Sequence, residues 1–275
     1  MAKKKQINEM SFLDHLEDLR KHLIKSVFAI VIAATAAFFF KTFIFEVILF
    51  GPRNMSFPTY EWLCKLSNLF SNSNSTFCAE EFPFTIQNRV VAGQFSAHVW
   101  TSITAGFIVS FPYVLYQLWK FISPGLNPNE RKYSRGFIII ASFLFFLGVL
   151  FGYYIMTPLS INFLANYNIS NQISNEFDLG SYIGLLKSAV LASGFIFELP
   201  IVIYFLTKIG LVTPQFLTKY RKYALVIVLI LAAIITPPDI NSQIIVAIPI
   251  LILYQISIYI SKIVVKNQKE KEKTT

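Results

Sequence analysis

The chain has little of what most catalytic or metal-binding proteins depend on. It holds two cysteines and three histidines, and charged residues make up 14% of it. His15, His22 and His98 have neither the spacing of metal ligands nor a nucleophile beside them, and the sequence has no glycine-rich phosphate loop. The sequence therefore predicts that the protein is not an enzyme and uses no metal or cofactor.

What the chain has in quantity is apolar sequence, with 55% hydrophobic residues and a mean hydropathy of +0.56. Backbone polar groups inside a bilayer must be satisfied within the protein, and only helices give continuous apolar runs long enough to cross it. The pattern predicts an all-α, polytopic membrane protein with six transmembrane helices. The six runs cover approximately 23–40, 98–119, 137–158, 183–207, 223–236 and 243–261.

The last two runs are short. Tyr223 to Thr236 spans only 14 residues, or about 21 Å of helix against a hydrocarbon core of roughly 30 Å. The sixth run is only marginally longer. We expect this pair to thin the bilayer around it or to admit water at one end.

Lys and Arg are absent from two connections, 159–182 and 237–242. Basic residues are instead concentrated in four segments: Lys3, Lys4, Lys5, Arg20, Lys21 and Lys25; Arg131, Lys132 and Arg135; Lys208, Lys219, Arg221 and Lys222; and Lys262, Lys266, Lys269, Lys271 and Lys273. Segments rich in Lys and Arg stay cytoplasmic, so both termini are predicted inside and residues 41–97 outside. This bias also accounts for the net charge of +9 without nucleic acid.

The outer segment 41–97 carries Lys41, Arg53, Lys65 and Arg89, but long loops follow the charge rule weakly. It also contains both cysteines, Cys64 and Cys78. A disulfide and two buried thiols are both consistent with this placement.

The chain divides into a cytoplasmic amphipathic helix (1–22), a membrane domain (23–261) and a charged cytoplasmic tail (262–275). Because a polar segment precedes the first apolar run, we expect a permanent anchor rather than a cleaved signal peptide. The amphipathic helix is predicted from apolar residues at three- and four-residue steps, Met10, Leu13, Leu16, Leu19 and Leu23. Such a helix is expected in the membrane interface.

The polar side of this helix holds Glu17 and Asp18. Glu17 lies four residues before Lys21 and can pair with it, whereas Asp18 has only His22 at the same offset. Asp18 is therefore the more available acid. An ordinary solvated charged face explains the same residues.

A second acid, Glu130, follows a turn that Pro124, Gly125 and Pro128 impose between the second and third apolar runs. It stands where the third helix begins, and the helix dipole favours a carboxylate there. A helix-start acid is the ordinary explanation.

Glu198 lies inside the fourth apolar run, just before Pro200. An ionised side chain at mid-bilayer costs roughly 2.5–3.5 kcal/mol, so this acid is expected to face a cavity, a partner or a proton. Pro200 is expected to kink the preceding turn. On Glu198 alone, a proton-coupled small-solute transporter is an alternative function.

At the turn between the last two runs, Asp239 can cap the final helix. Gln243 opens that helix as a polar group without a local explanation. Capping by itself is a sufficient reason for Asp239.

Four blocks of the chain resemble the TatC subunit of the twin-arginine protein translocase. They are His15 to Arg20 before the first span, Phe121 to Arg131 between the second and third, Phe195 to Pro200 in the fourth, and Thr236 to Gln243 between the last two. All four occur in the family's order in a six-span plan, so the resemblance runs along almost the whole chain. The resemblance implies a glove-shaped bundle of six helices.

The resemblance implies a receptor in the plasma (inner) membrane. It would bind folded proteins whose N-terminal signals carry two consecutive arginines. TatA and TatB, which are small single-span subunits, would join it for transport driven by the proton-motive force. Self-association and contact with membrane lipid are also expected.

The family's two arginine-contacting acids match Asp18 and Glu130 in this sequence. The family usually has Glu where this chain has Asp18, and the preceding Glu17 can share or assume that role. The implied signal-binding residues are Glu17, Asp18, Arg20, Phe121, Pro124 and Glu130. The implied partner-contacting or intramembrane residues are Pro52, Glu198, Asp239 and Gln243.

Overall fold

A computed structural model of the chain describes residues 12–70, 78, 81–122, 134–170, 172–173, 175–236 and 239–273. Its α-helices are Phe12–Phe39 (α1), Pro58–Phe70 (α2), Gly93–Ile122 (α3), Ser134–Phe151 (α4), Thr157–Asn166 (α5), Leu179–Phe197 (α6), Leu199–Lys208 (α7), Pro214–Lys219 (α8), Arg221–Ile235 (α9) and Ile240–Lys273 (α10). Two π-helical segments cover Phe43–Leu49 and Gly152–Met156, and a 3₁₀ turn covers Gly51–Arg53.

Five helical stretches of the described chain are long and apolar enough to cross a membrane. They are His15–Phe39, Gly93–Ile122, Gly136–Asn166, Leu179–Lys208 and Ser242–Gln268. The helical, multi-pass architecture predicted from the sequence is confirmed. The six crossings and the cytoplasmic termini stay predictions.

The fifth predicted span forms α9, a helix of 15 residues, or about 22 Å. Its predicted shortness is confirmed. The same prediction for the last helix is wrong, because α10 is 34 residues long. Beyond the apolar run, the tail is rich in Lys, Glu and Gln, which propagate a helix well. Gln268 also donates to the carbonyl of Lys208 at 3.0 Å, which fixes the tail helix to α7.

The amphipathic segment and the first span form one continuous helix, α1, rather than a separate helix in the interface. Neither Pro nor Gly occurs between Phe12 and Phe39, so no residue breaks the ladder of backbone hydrogen bonds.

The chain folds as two compact units. The first comprises residues up to Phe39 together with Ser102–Ser142. In it, α1 and α3 touch at Gly106, where a Cβ would lie 2.4 Å from the backbone nitrogen of Ala34. Only glycine fits at so close an approach. Trp119 of α3 packs on Phe137 of α4, with ring centroids 4.7 Å apart.

The second unit comprises Phe40–Thr101 and Phe143–Thr275. Its main core joins the second π-helical segment with α6, α9 and α10 through Met156, Ala189, Val228, Ala232, Val246, Ala247 and Ile250. A smaller cluster of Ile203, Leu217 and Ile258 joins α7, α8 and α10.

The second unit also contains a two-stranded parallel sheet, formed by Phe84–Gln87 (β1) and Asn175–Asp178 (β2). The register pairs Phe84 with Asn175, and the rings of Phe84 and Phe177 stack with centroids 4.3 Å apart. Arg89 pairs with Glu176 at 2.6 Å. This sheet was not predicted from the sequence, because strands of four residues are too short to give a readable alternation.

Cys64 and Cys78 form a disulfide, so the structure selects one of the two alternatives left by the sequence. The bond joins the middle of α2 to Cys78, which precedes β1 in the chain. Tyr60 of α2 is fully buried, and its hydroxyl donates to the carbonyl oxygens of Pro52 at 2.9 Å and Pro158 at 3.2 Å. The hydroxyl thus joins the 3₁₀ turn to α5.

Candidate functional site

Asp18 belongs to a polar chain that links α1 to α3 within the first unit. Its Oδ2 lies 3.9 Å from Nε2 of His22, and Nδ1 of His22 lies 2.7 Å from Oε1 of Gln117. Gln117 is buried and the Asp18 side chain remains 36% exposed. The buried amide therefore holds the imidazole, while the carboxylate beside it stays accessible.

Glu17 is engaged differently. Its Oε1 lies 2.9 Å from Nζ of Lys21, and both side chains are more than half exposed. The predicted pairing of Glu17 with Lys21 is confirmed. Asp18 has only the contact with His22 at the same offset. Because Lys21 already occupies Glu17, Asp18 is the acid of α1 that is better placed to take a second cation.

An aromatic contact lies close to these acids in the sequence. His15 of α1 and Phe121 of α3 stack with ring centroids 4.4 Å apart and planes at 24°. Arg20 is exposed on α1. Pro124 and Glu130 lie outside the described residues, so their roles stay predictions.

The sequence did not indicate a role for Gln117. Its signal was a single amide between Tyr116 and Leu118 within a long apolar run. A polar side chain in such a run needs a partner, but the sequence does not show that the partner, His22, comes from another helix.

Glu198 lies at a break in the fourth helical stretch of the second unit. Helix α6 ends at Phe197, and α7 begins at Leu199 with Pro200 in its first turn, so the predicted kink is confirmed. The residue is only 8% exposed, and its Oε1 has no hydrogen-bond partner among the described residues. Retaining an unsatisfied polar atom in a buried position costs stability, which favours a functional reason for this acid.

Asp239 and Gln243 both have structural partners in the second unit. Asp239 Oδ2 accepts from the backbone nitrogen and from the hydroxyl of Ser242, each at 2.8 Å, so the predicted cap is confirmed. Gln243 Nε2 donates to the carbonyl of Leu229 at 3.0 Å and so joins α10 to α9. This bond is the local explanation for Gln243 that the sequence lacked.

Pro52 is buried in the first turn of the 3₁₀ segment, where its carbonyl accepts from Tyr60. Its fixed φ suits this position. In the described part of the chain, no three His, Cys, Asp or Glu side chains are grouped so that they could hold a metal ion.

Comparison with known proteins agrees with the helical plan. A family profile described as Sec-independent protein translocase protein (TatC) matches residues 14–249. The chain is 51% identical to the TatC protein of Blattabacterium sp. subsp. Periplaneta americana (strain BPLAN), over 96% of this chain and all of that one. It is 35% identical to the TatC protein of Aquifex aeolicus (strain VF5), again over 96% of this chain and all of the relative.

A solved structure is similar as well. The crystal structure of a twin-arginine translocase receptor, TatC, superimposes with a TM-score of 0.69 at 32% identity, over 91% of this chain and 99% of that one. The helices and the buried polar residues within them define a multi-pass membrane protein. The chain belongs to the TatC family of Sec-independent protein translocase proteins. It is accordingly a component of a protein translocase.

Proposed function

We propose that this protein is a receptor for twin-arginine signal peptides, and that Asp18 is the principal arginine contact on α1. The observation that carries the proposal is that the neighbouring acids Glu17 and Asp18 have different partners. Lys21 occupies Glu17, whereas Asp18 is partly exposed and, within the described residues, has a histidine as its nearest basic group. A guanidinium presents a planar fork to a carboxylate, so an acid held in place can prefer Arg to Lys.

Shape must add to charge in this recognition. An exposed ion pair is worth only about 0–1 kcal/mol, so two carboxylates alone do not give a specific receptor. The stacked rings of His15 and Phe121 offer an apolar surface on the same two helices. Arg20, Pro124 and Glu130 join the proposed site through the resemblance of their sequence blocks to the family.

A photocrosslinking experiment tests this assignment. A precursor with a twin-arginine signal, carrying a photoreactive residue next to the arginine pair, is presented to membranes containing wild type, Asp18→Asn, Glu17→Gln or Glu130→Gln. We expect Asp18→Asn and Glu130→Gln each to lower crosslinking about fivefold, by loss of one charge-assisted contact worth about 1 kcal/mol. Glu17→Gln is the matched control and should stay within about twofold.

Unchanged crosslinking in both Asp18→Asn and Glu130→Gln would contradict the proposed site. A loss with Glu17→Gln and none with Asp18→Asn would move the arginine contact to the neighbouring acid. A precursor whose two arginines are replaced by lysine should crosslink poorly to every variant.

We further propose that both termini are cytoplasmic, that the membrane is the plasma membrane, and that residues 41–97 lie outside. The Cys64–Cys78 disulfide supports this orientation, because such bonds persist in oxidising compartments. Reporter fusions after Lys208 and after Asn166 test it. A reporter that works only in the cytoplasm should be active after Lys208 and inactive after Asn166. A reporter that works only outside the membrane should give the opposite result.

Transport also requires partners. We propose that single-span subunits of the TatA and TatB type, and further copies of this chain, assemble around the membrane domain, with transport driven by the proton-motive force. Glu198 is the proposed contact for a polar residue of such a subunit, because it is buried and its Oε1 is unsatisfied in the described structure. Pro52, Asp239 and Gln243 are also proposed as contacts for partner subunits, on the basis of the resemblance.

The same acid motivates the alternative of a proton-coupled solute transporter. Membership of the family favours protein transport instead. A vesicle flux assay separates the two: solute uptake that is abolished by Glu198→Gln in the absence of partner subunits would support the alternative.

A further inference from the structure

The second unit contains a cavity of about 580 Å³ in which basic and aromatic side chains converge. Its basic lining residues are Lys41, Arg53 and His98, and its acidic one is Glu46. Phe45, Phe50 and Phe95 provide most of its aromatic wall. None of these residues belongs to the proposed signal-binding or partner-binding sets.

The basic residues are the unexpected part of this cavity. Lys and Arg are disfavoured on the outer side of a membrane, where segment 41–97 is predicted to lie. Arg89 of that segment is neutralised by Glu176 at 2.6 Å. Lys41 and Arg53, by contrast, have no carboxylate within ion-pair distance in the described structure, and both line one cavity. With Lys41 and Arg53 against Glu46, the described lining of the cavity therefore keeps a net positive charge.

The wall of the cavity is built from fixed elements. The hydroxyl of Tyr182 donates to the carbonyl of Leu49, and that of Tyr153 to the carbonyl of Ile48, both at 2.9 Å. These bonds hold the end of the π-helical segment Phe43–Leu49, which contributes Phe45 and Glu46. Single π-helical turns often mark functional sites, because the wider turn re-aims its side chains.

Residues at the ends of two helices that are long and apolar enough to span a membrane line or adjoin the cavity. Lys41 follows the end of α1 at Phe39 in the chain, and Phe95 and His98 belong to the first turns of α3. Phe95 is 68% exposed and Phe43 is 56% exposed, as expected of rings in contact with lipid. A ligand held by Lys41 and Arg53 would thus have an apolar path beside it.

We propose that this cavity binds the headgroup of an anionic phospholipid, with its phosphate on Lys41 and Arg53 and its acyl chains along the exposed phenylalanines. Guanidinium and ammonium groups are the usual partners of phosphate. The side chains of Thr42, Gln87 and Gln94 also line the cavity and can donate to the polar part of the headgroup. Basic pockets at membrane-boundary positions recognise lipid headgroups in this way.

The test is an equilibrium titration of fluorescent phosphatidylglycerol into the full chain in detergent micelles. Wild type is compared with the double variant Lys41→Gln, Arg53→Gln and with Lys65→Gln, which removes an exposed lysine of the same segment outside the cavity. We expect the Kd of the double variant to rise about 30-fold, from about 1 kcal/mol for each lost cation. The Kd of Lys65→Gln should stay within about twofold of wild type.

Two further arms identify the ligand. Phosphatidylcholine should bind wild type at least about tenfold more weakly, because it carries no net charge. Inorganic phosphate should fail to displace phosphatidylglycerol at equal concentration. Displacement by phosphate would identify a site for the free anion and overturn the lipid assignment, and equal binding of the two lipids would overturn it as well.

A measurement on the wild-type protein covers the case in which the double variant fails to fold. Added salt should weaken phosphatidylglycerol binding steeply, because screening acts on the exposed lysine and arginine. Binding that does not respond to salt, or a double variant that folds and binds like wild type, would overturn the proposal.

Discussion

The hydroxyl oxygen of Ser193 on α6 lies 2.7 Å from the backbone carbonyl oxygen of Gly148 on α4. So short a distance between a side chain and the backbone of a facing helix requires small residues on both sides. A Cβ at Gly148 would lie 2.5 Å from the carbonyl of Ser193, and one at Gly152 would lie 2.7 Å from the carbonyl of Ala189. Small residues at four-residue spacing therefore bring this helix pair together, as in other membrane helices.

The first prediction follows from this contact. Gly152→Ala should lower the free energy of unfolding by about 1–3 kcal/mol, because the new methyl group meets backbone that cannot move without separating the helices. The midpoint of thermal unfolding in detergent measures the effect. Gly184→Ala is the matched control, since a Cβ there meets nothing within 4 Å. Equal midpoints for the two variants would contradict the close packing.

A second prediction concerns Gln117. In Gln117→Leu, His22 loses the acceptor 2.7 Å from its Nδ1, so the imidazole no longer holds a fixed position beside Asp18. We expect crosslinking to a twin-arginine signal to fall about two- to fivefold, at the cost of one hydrogen bond that positions the contact. Ser110→Ala is the control on the same helix, because its hydroxyl bonds within α3, to the carbonyl of Phe107.

Thermal midpoints of the two variants complete that test. A drop in signal binding by Gln117→Leu at an unchanged midpoint would support a positioning role. A loss of stability equal in size to the loss of binding would indicate that Gln117 serves the fold alone.

The features that the sequence predicted correctly are local ones. The pairing of Glu17 with Lys21, the helix break before Pro200 and the cap formed by Asp239 are each set within about one helical turn. In each case the residue type and its spacing determine the geometry without help from the rest of the chain. The approximate positions of the five long apolar helices were also readable, because the bilayer imposes a minimum length.

The features that the sequence did not predict depend on contacts between residues that are far apart in the sequence. His22 and Gln117 are 95 positions apart, and the local sequence around either residue does not indicate that the two are in contact. The same holds for β1 and β2, whose pairing is set by the elements between them. The end of α10 was misjudged for another reason: an apolar run marks the membrane, whereas helix propensity continues through the charged tail.

The third prediction concerns Gln243, for which a role in the fold and a role in partner binding lead to different expected results. Gln243→Leu removes the bond to the carbonyl of Leu229 and should lower the free energy of unfolding by about 1 kcal/mol. Gln215→Leu, at an exposed position on α8, is the control and should change it by less than about 0.5 kcal/mol. If Gln243→Leu is as stable as wild type but loses copurification of single-span subunits, the residue serves the partner and not the fold.

The disulfide gives a fourth prediction. Cys64 and Cys78 are 14 positions apart, and a loop of about that length is worth roughly 3 kcal/mol in the chain-entropy account. The variant Cys64→Ser, Cys78→Ser should therefore unfold at a lower temperature than wild type. Wild type treated with a reductant should match the variant, and the variant itself should not respond to the reductant. A midpoint of the wild type that is insensitive to reductant would contradict a stabilising bond.

The fifth prediction concerns Glu198, where one substitution is expected to raise stability and to impair assembly. Its Oε1 is buried without a hydrogen-bond partner in the described structure, beside an apolar contact between Phe197 and Phe151 with ring centroids 5.5 Å apart. Glu198→Leu removes the unsatisfied oxygen and keeps a similar volume. We expect it to raise the free energy of unfolding by about 1–3 kcal/mol, the usual cost of an unmade buried hydrogen bond.

The same substitution should impair assembly, because the proposed contact with a polar residue of a single-span subunit is lost. Disulfide crosslinking between this chain and the partner, with cysteines placed at Val202 and along the partner's helix, measures that loss. Glu198→Gln, which retains a polar side chain, should keep more of the crosslink than Glu198→Leu. A Glu198→Leu variant that is less stable than wild type and crosslinks normally would contradict both expectations. Glu198 would then stabilise the break between α6 and α7, and the proposed contact with a partner would not be needed for assembly.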